Sequence, residues 1–130
     1  MKDFSDIKNF GLVSIQRIAD IKEHPKNENL EIVRVLNQEC VVRKKSLKIG
    51  DYIAFSQNGT LLSERMASSF PHLEKGKVVK RFIDGIESNG LCIHLGTVLK
   101  NLPPKTKNED RVFSFEIGDD ISDLIGAVKK

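Results

Sequence analysis

Hydrophobic and polar residues alternate with period two along most of this chain, the pattern of half-buried strands. Leu12–Ile21, with Val13 and Ile15 on one face, predicts a first strand. Glu31–Val35 predicts a second, with Val33 and Val35 inward and charge at Glu31 and Arg34. Glu39–Arg43 and Tyr52–Phe55 are short third and fourth strands, with Gly50-Asp51 as the turn between them. Lys77–Ile83 and Gly90–Leu95 read as a further strand pair, separated by Asp84-Gly85 and Asn89-Gly90, and Val112–Ile117 as a late strand. Helical spacing is confined to Ser63–Ser69, ended by Pro71, and to a terminal turn at Ile121–Ile125, with Asp119 or Asp120 as N-cap and Gly126 as the stop. Asn101–Asp110, with Pro103-Pro104, is the best surface loop. About six short strands with frequent turn signals predict an all-β barrel or sandwich.

Length limits what such a pattern can build. The 130 residues make one domain with one compact core. A hydrophobic fraction of 39% and a charged fraction of 30% exclude wholesale disorder. No 18-residue apolar run exists, so no membrane span is expected. Met1–Phe10 carries Asp3 and Asp6 and no apolar block, unlike a secretory signal or a transit peptide. Two cysteines do not make a disulfide scaffold, and an intracellular setting, cytoplasmic or nuclear rather than secreted, is the expectation.

Charge adds a local pattern that the net value of +3 conceals. Arg43, Lys44, Lys45 and Lys48 form one acid-free cluster; Lys75, Lys77, Lys80 and Arg81 form another. Residues 112–130 balance to −2, which leaves +5 on residues 1–111. Basic clusters on the body and an acidic end point to an anionic partner.

Catalytic signatures are missing. There is no Gly-rich phosphate loop and no Gly-x-Ser-x-Gly elbow. Cys40, Cys92, His24, His72 and His94 are scattered, with no Cys-x-x-Cys or His-x3-His spacing for zinc. Covalent nucleotidyltransferases use the lysine of Lys-x-Asp-Gly, whose amine attacks the α-phosphate. The matching residues here are Phe82-Ile83-Asp84-Gly85, and phenylalanine cannot be that nucleophile. Binding is better provided for. Lys77-Val78-Val79-Lys80-Arg81-Phe82 places cations beside a ring, and cations take phosphates while a ring stacks on a base or sugar. Arg43-Lys44-Lys45 at a strand end is a second contact candidate. Pro25 pushes His24 into an extended conformation, leaving a loop cap or a phosphate contact open for it.

Several stretches together carry a resemblance. Val13-Ser14-Ile15-x-x-Ile18, then His24-Pro25-x-Asn27-Glu28-Asn29-Leu30-Glu31-Ile32-Val33-x-Val35, and later Gly85-Ile86-Glu87-Ser88-Asn89-Gly90-Leu91, resemble tRNA-binding-type OB domains. The lysine-rich Cys40–Ile53 stretch ending in Gly50-Asp51, and the acidic Ile117–Gly126, resemble the N-terminal module of ATP-dependent RNA ligases of the Deinococcus/Naegleria type. The resemblance implies a five-stranded Greek-key OB barrel with extra short strands and helical turns over residues 11–118. Residues 1–10 would be an N-terminal extension, and 119–130 a junction toward a nucleotidyltransferase domain lying outside this chain. It further implies a non-catalytic module that engages an RNA duplex near a nick, or structured RNA. That module would work beside its own C-terminal ligase domain, which would use ATP and manganese or magnesium to join a 3′-OH to a 5′-phosphate. No cofactor is expected in the module itself. The RNA-contacting set would be Arg43, Lys44, Lys45, Lys48, Lys77, Lys80, Arg81, Phe82, His24 and Asn89. A tRNA-binding accessory domain of a synthetase, or of its cofactor, is the alternative.

Overall fold

The computed structural model of the protein describes residues 6–100 and 115–129. The chain is all-β with short helical turns, as the alternation predicts. Strand β1 (Val13–Arg17) pairs antiparallel with β5 (Tyr52–Ser56), and β5 with β9 (Leu91–His94). A second sheet runs β2 (Asp20–Glu23), β3 (Leu30–Val35), β4 (Gln38–Arg43).

The expected first strand is therefore two strands. At Ile18-Ala19 the chain leaves one sheet for the other: Ile18 N–H donates to Asp51 O and Ala19 N–H to Arg34 O, both at 2.9 Å. Opposite this bend the sheets meet again. Asn89 N–H donates to Glu39 O at 2.9 Å, and Val41 N–H to Ser88 Oγ at 2.9 Å.

Alternation along the first sheet feeds two cores. Val13, Ile15, Ala54, Leu91 and Ile93 face one cluster; Ile53 and Phe55 face another, shared with Val33, Val35 and Cys40 of the second sheet. Both faces of this sheet are covered, which is why even Ser14 and Gln16 of β1 are buried, the Gln16 amide donating to Ser14 Oγ at 2.9 Å.

The first cluster is closed by helices. In α1 (Glu64–Ala67) the N-cap Ser63 accepts from Met66 N–H at 3.3 Å, and Met66 is buried. Helix α2 (Leu95–Lys100) buries Val98; the sequence reading missed it because six residues carry too little periodicity. Helix α3 (Ser122–Ile125) stops at Gly126, whose φ of 71° is left-handed, and Asp120 Oδ1 accepts from Ser122 N–H at 2.9 Å.

Both ends of the described chain join the body. Ile7 is buried in the second cluster, and the Gln57 amide donates to the carbonyls of Ile7, Phe10 and Gly11 at 2.8, 3.2 and 2.9 Å. Residues 118–121 lie along β1 through Ile15 N–H to Asp119 O and Ile121 N–H to Val13 O, each 2.9 Å. Ile121, Ile125 and Ala127 enter the first cluster, and a short strand β10 (Val128–Lys129) pairs with β6 (Thr60–Leu61). The segment read as a junction is thus packed into the same body. The Asn101–Asp110 loop and residues 112–114 of the late strand lie outside the described residues, and 115–117 are not strand.

One strand pairing differs from expectation. Residues 81–83 (β7, Arg81–Ile83) pair with β8 (Ile86–Ser88) in a tight hairpin, while β9 pairs with β5. The cause is Asp84-Gly85, with φ of 49° and 83°, two consecutive left-handed residues that suit a two-residue hairpin turn. Gly90 then lets the chain cross Phe55: its φ is 74°, and an added methyl would overlap the Phe55 ring and lie 2.6 Å from Ser56 O.

Candidate nucleic-acid interface

The β7–β8 hairpin has a cleft at each end. The turn end is held by the His24–Asn29 loop. His24 is buried, and its Nδ1 accepts from Lys26 N–H at 3.0 Å and Asn27 N–H at 3.1 Å. Nε2 therefore carries the proton and donates to Ile83 O at 2.9 Å. The Asn27 amide donates to Asp84 Oδ2 at 2.7 Å, across to the hairpin turn. An open cleft of about 680 Å3 beside this loop is lined by Lys26 and Lys44, but also by Glu23 and Glu28.

The base of the hairpin is built differently. Lys77, held by a single bridge to Leu61, lines a cleft of about 460 Å3 together with Val79 and Arg81 on the way into β7 and with His72, Glu74 and Lys75. Lys75 sits at φ 53° and Gly76 at φ 75°, a tight reversal that returns the loop from His72 toward β7. An added methyl on Gly76 would lie 3.0 Å from Ala67 Cβ, so the reversal is seated directly on α1. Among the described residues Glu74 is the single carboxylate of the cleft, and no ion pair engages Lys75, Lys77 or Arg81. Desolvation of the inner part of the largely exposed His72 side chain, together with the positive charge of Arg81, holds His72 below the ordinary histidine pKa. The Phe70 ring meets His72 edge-on at 6.3 Å.

Lys80 and Phe82 do not line that cleft. Phe82 is 67% exposed, the Lys80 ammonium lies 6.0 Å from its ring centroid, and Lys80 also pairs with Glu87 across the hairpin at 3.3 Å. Asn89 is occupied within the fold: its Oδ1 accepts from Asn58 Nδ2 at 3.0 Å, and its Nδ2 donates to Glu87 at 3.4 Å.

The first basic cluster is spread along its loop. Arg43 ends β4 opposite Leu30; Lys45, at φ 65°, donates its N–H to Glu31 Oε1 at 2.8 Å. Lys48 N–H donates to Asp51 Oδ2 at 2.9 Å, in the turn fastened to Ile18. Of these four cations, only Lys44 lines either cleft. The structure thus brings Lys77 and Arg81 together, sets Lys80 and Phe82 apart from them, and adds His72 and Lys75. The Lys75-Gly76 reversal was the sequence signal that could have drawn His72 into the group.

Catalytic groups are sparse. Among the described residues no cluster of three metal-ligating side chains occurs. The thiols of Cys40 and Cys92 meet on the second cluster. The Cys92 hydrogen bond outweighs burial and brings Cys40 down to about 7, while the Cys40 hydrogen bond and burial push Cys92 up. No described helix is long and apolar enough to cross a membrane.

No protein-family model and no curated protein sequence matches the chain. Solved structures do. The chain is similar to a mutant of Naegleria gruberi RNA ligase with ATP and Mn at 19% identity and a TM-score of 0.69, over 91% of this chain and 35% of that one. A mutant of the same ligase with AMP and Mn gives 20% and 0.70, over 91% and 34%. The ligase with PPi gives 20% and 0.68, over 91% and 34%. At these identities the likeness is one of fold: nearly all of this chain has the architecture of about a third of Naegleria gruberi RNA ligase.

Proposed function

We propose that the chain is an RNA-binding module of an ATP-dependent RNA ligase, built as an OB-type barrel. The observation that carries this reading is the fold likeness to an RNA ligase over 91% of the chain. The strand circuit agrees with it. Taking β1 and β2 as one bent strand, pairing runs from β2 through β3 to β4, across the Asn89 and Ser88 bonds to β8–β9, then through β5 back to β1. That order matches the one expected of a five-stranded Greek-key OB barrel, which supports the reading.

The module's work is binding. Cations on the hairpin and the β4 loop hold phosphates of an RNA duplex near a nick, fixing register without reading sequence, as a general nick sealer requires. Ribose hydroxyls and A-form geometry supply the preference for RNA. In this reading ATP and a divalent ion, together with the joining step, belong to the part of such a ligase that the likeness does not cover.

Fluorescence anisotropy with a nicked RNA duplex, the same duplex in DNA, and a tRNA tests the reading. We expect the RNA duplex to bind best. With three phosphates neutralised, log affinity falls against log salt with a slope of about −2.7. Absence of RNA binding at low salt, or a strong preference for tRNA, would overturn it.

A further inference from the structure

We propose that the cleft at the base of the β7–β8 hairpin is a phosphate site for the RNA backbone, with Arg81 and Lys77 as the principal ligands and Lys75 at its open side. The inference rests on the RNA-binding reading above and names the place where that binding is concentrated.

Three features carry it. First, the cleft gathers three cations against one carboxylate, Glu74. Lys77 and Arg81 are half-buried, so their mutual repulsion is less screened than on an open surface, and among the described residues no ion pair offsets it. A bound anion would offset it. Second, the donor types match a phosphate. A guanidinium offers a planar fork to two oxygens, and a lysine adds a mobile point charge. Third, Lys75 is presented from a left-handed backbone position, a kind of strain that concentrates at ligand sites. His72 borders the cleft beside Arg81 and reports on it, because an anion there would oppose the charge that now disfavours the imidazolium.

The competing cleft at the turn end has a different balance, two lysines against two carboxylates and no arginine. Its cations face Glu23 and Glu28, and both nitrogens of its histidine are used by the fold.

The test compares wild type, Lys77→Ala with Arg81→Ala together, and Lys8→Ala as an exposed-charge control, each checked for an unchanged melting curve. Anisotropy of a labelled RNA duplex is measured between 50 and 200 mM salt. Loss of two phosphate contacts flattens the slope by about 1.4–1.8 in the double variant, and the control slope stays as in wild type. In parallel, the His72 imidazole NMR signals are followed with the RNA duplex and with polyglutamate at equal charge. They should move with RNA and stay in place with polyglutamate. RNA binding with an unchanged slope in the double variant would overturn the cleft while leaving the RNA reading intact. An equal response to polyglutamate would overturn it in favour of an acidic protein partner. If wild type bound no RNA while inorganic phosphate still moved the His72 signals, the RNA-binding reading would fail and the cleft's phosphate chemistry would stand.

Discussion

The two ends of the β7–β8 hairpin each combine a histidine with lysines in an open cleft, yet they are organised for different tasks. At the turn end, His24 spends both ring nitrogens on the backbone, Asn27 reaches Asp84, and two glutamates face the cations. At the base, His72 is exposed and one glutamate faces three cations; among the described residues no ion pair closes on the cations of either cleft. A histidine with neighbouring cations is thus too coarse a signal for a binding site. What separates the two ends is whether the polar groups are already satisfied within the fold, since a satisfied group has little left to offer a ligand.

Breaking the turn end should damage stability. His24→Ala leaves two backbone donors and the Ile83 carbonyl without their buried partner, and we expect a loss of about 3 kcal/mol in urea unfolding. The salt slope of RNA binding should not change in whatever fraction remains folded. Breaking the base should damage binding instead. Arg81→Ala should weaken RNA affinity about tenfold by anisotropy, with thermal stability nearly unchanged because among the described residues Arg81 has no ion pair to lose. Lys80→Ala sharpens the contrast: it removes an exposed ion pair worth at most about 1 kcal/mol, so both stability and RNA slope should stay close to wild type.

The smallest expected effect is a pH dependence. His72 is held below its ordinary pKa of 6.5 in the fold, so the unfolded chain takes up its proton first as pH falls. The His72 contribution to stability is present above about 6.5 and is lost on acidification. His72→Gln should flatten the decline in melting temperature between neutral pH and pH 5, and Arg81→Ala should flatten it in part.

Much of the scaffold could be read in the sequence because period two carries it. Val13, Ile15, Val33 and Val35 are all buried as the alternation requires, and β3, β4 and β5 match their expected spans within a residue. The bend at Ile18-Ala19 was not legible, because nothing local marks where a continuous apolar alternation changes sheets. The partner of β7 differs from the expected one for a related reason: Asp84-Gly85 marks a turn, and its two left-handed residues make that turn tight enough to pair the strands on either side of it. For the site, composition located the cations but not their grouping. Lys80 and Arg81 are adjacent in sequence, yet Arg81 lines the cleft while Lys80 pairs with Glu87, whereas His72 and Arg81 meet across the Lys75-Gly76 reversal.

Backbone amide chemical-shift mapping during titration with a nicked RNA duplex tests the central claim most directly. The account predicts that the largest shifts cluster at His72, Lys75, Lys77 and Arg81, with the 24–29 loop nearly still. Shifts centred on that loop, with the hairpin base unmoved, would contradict it.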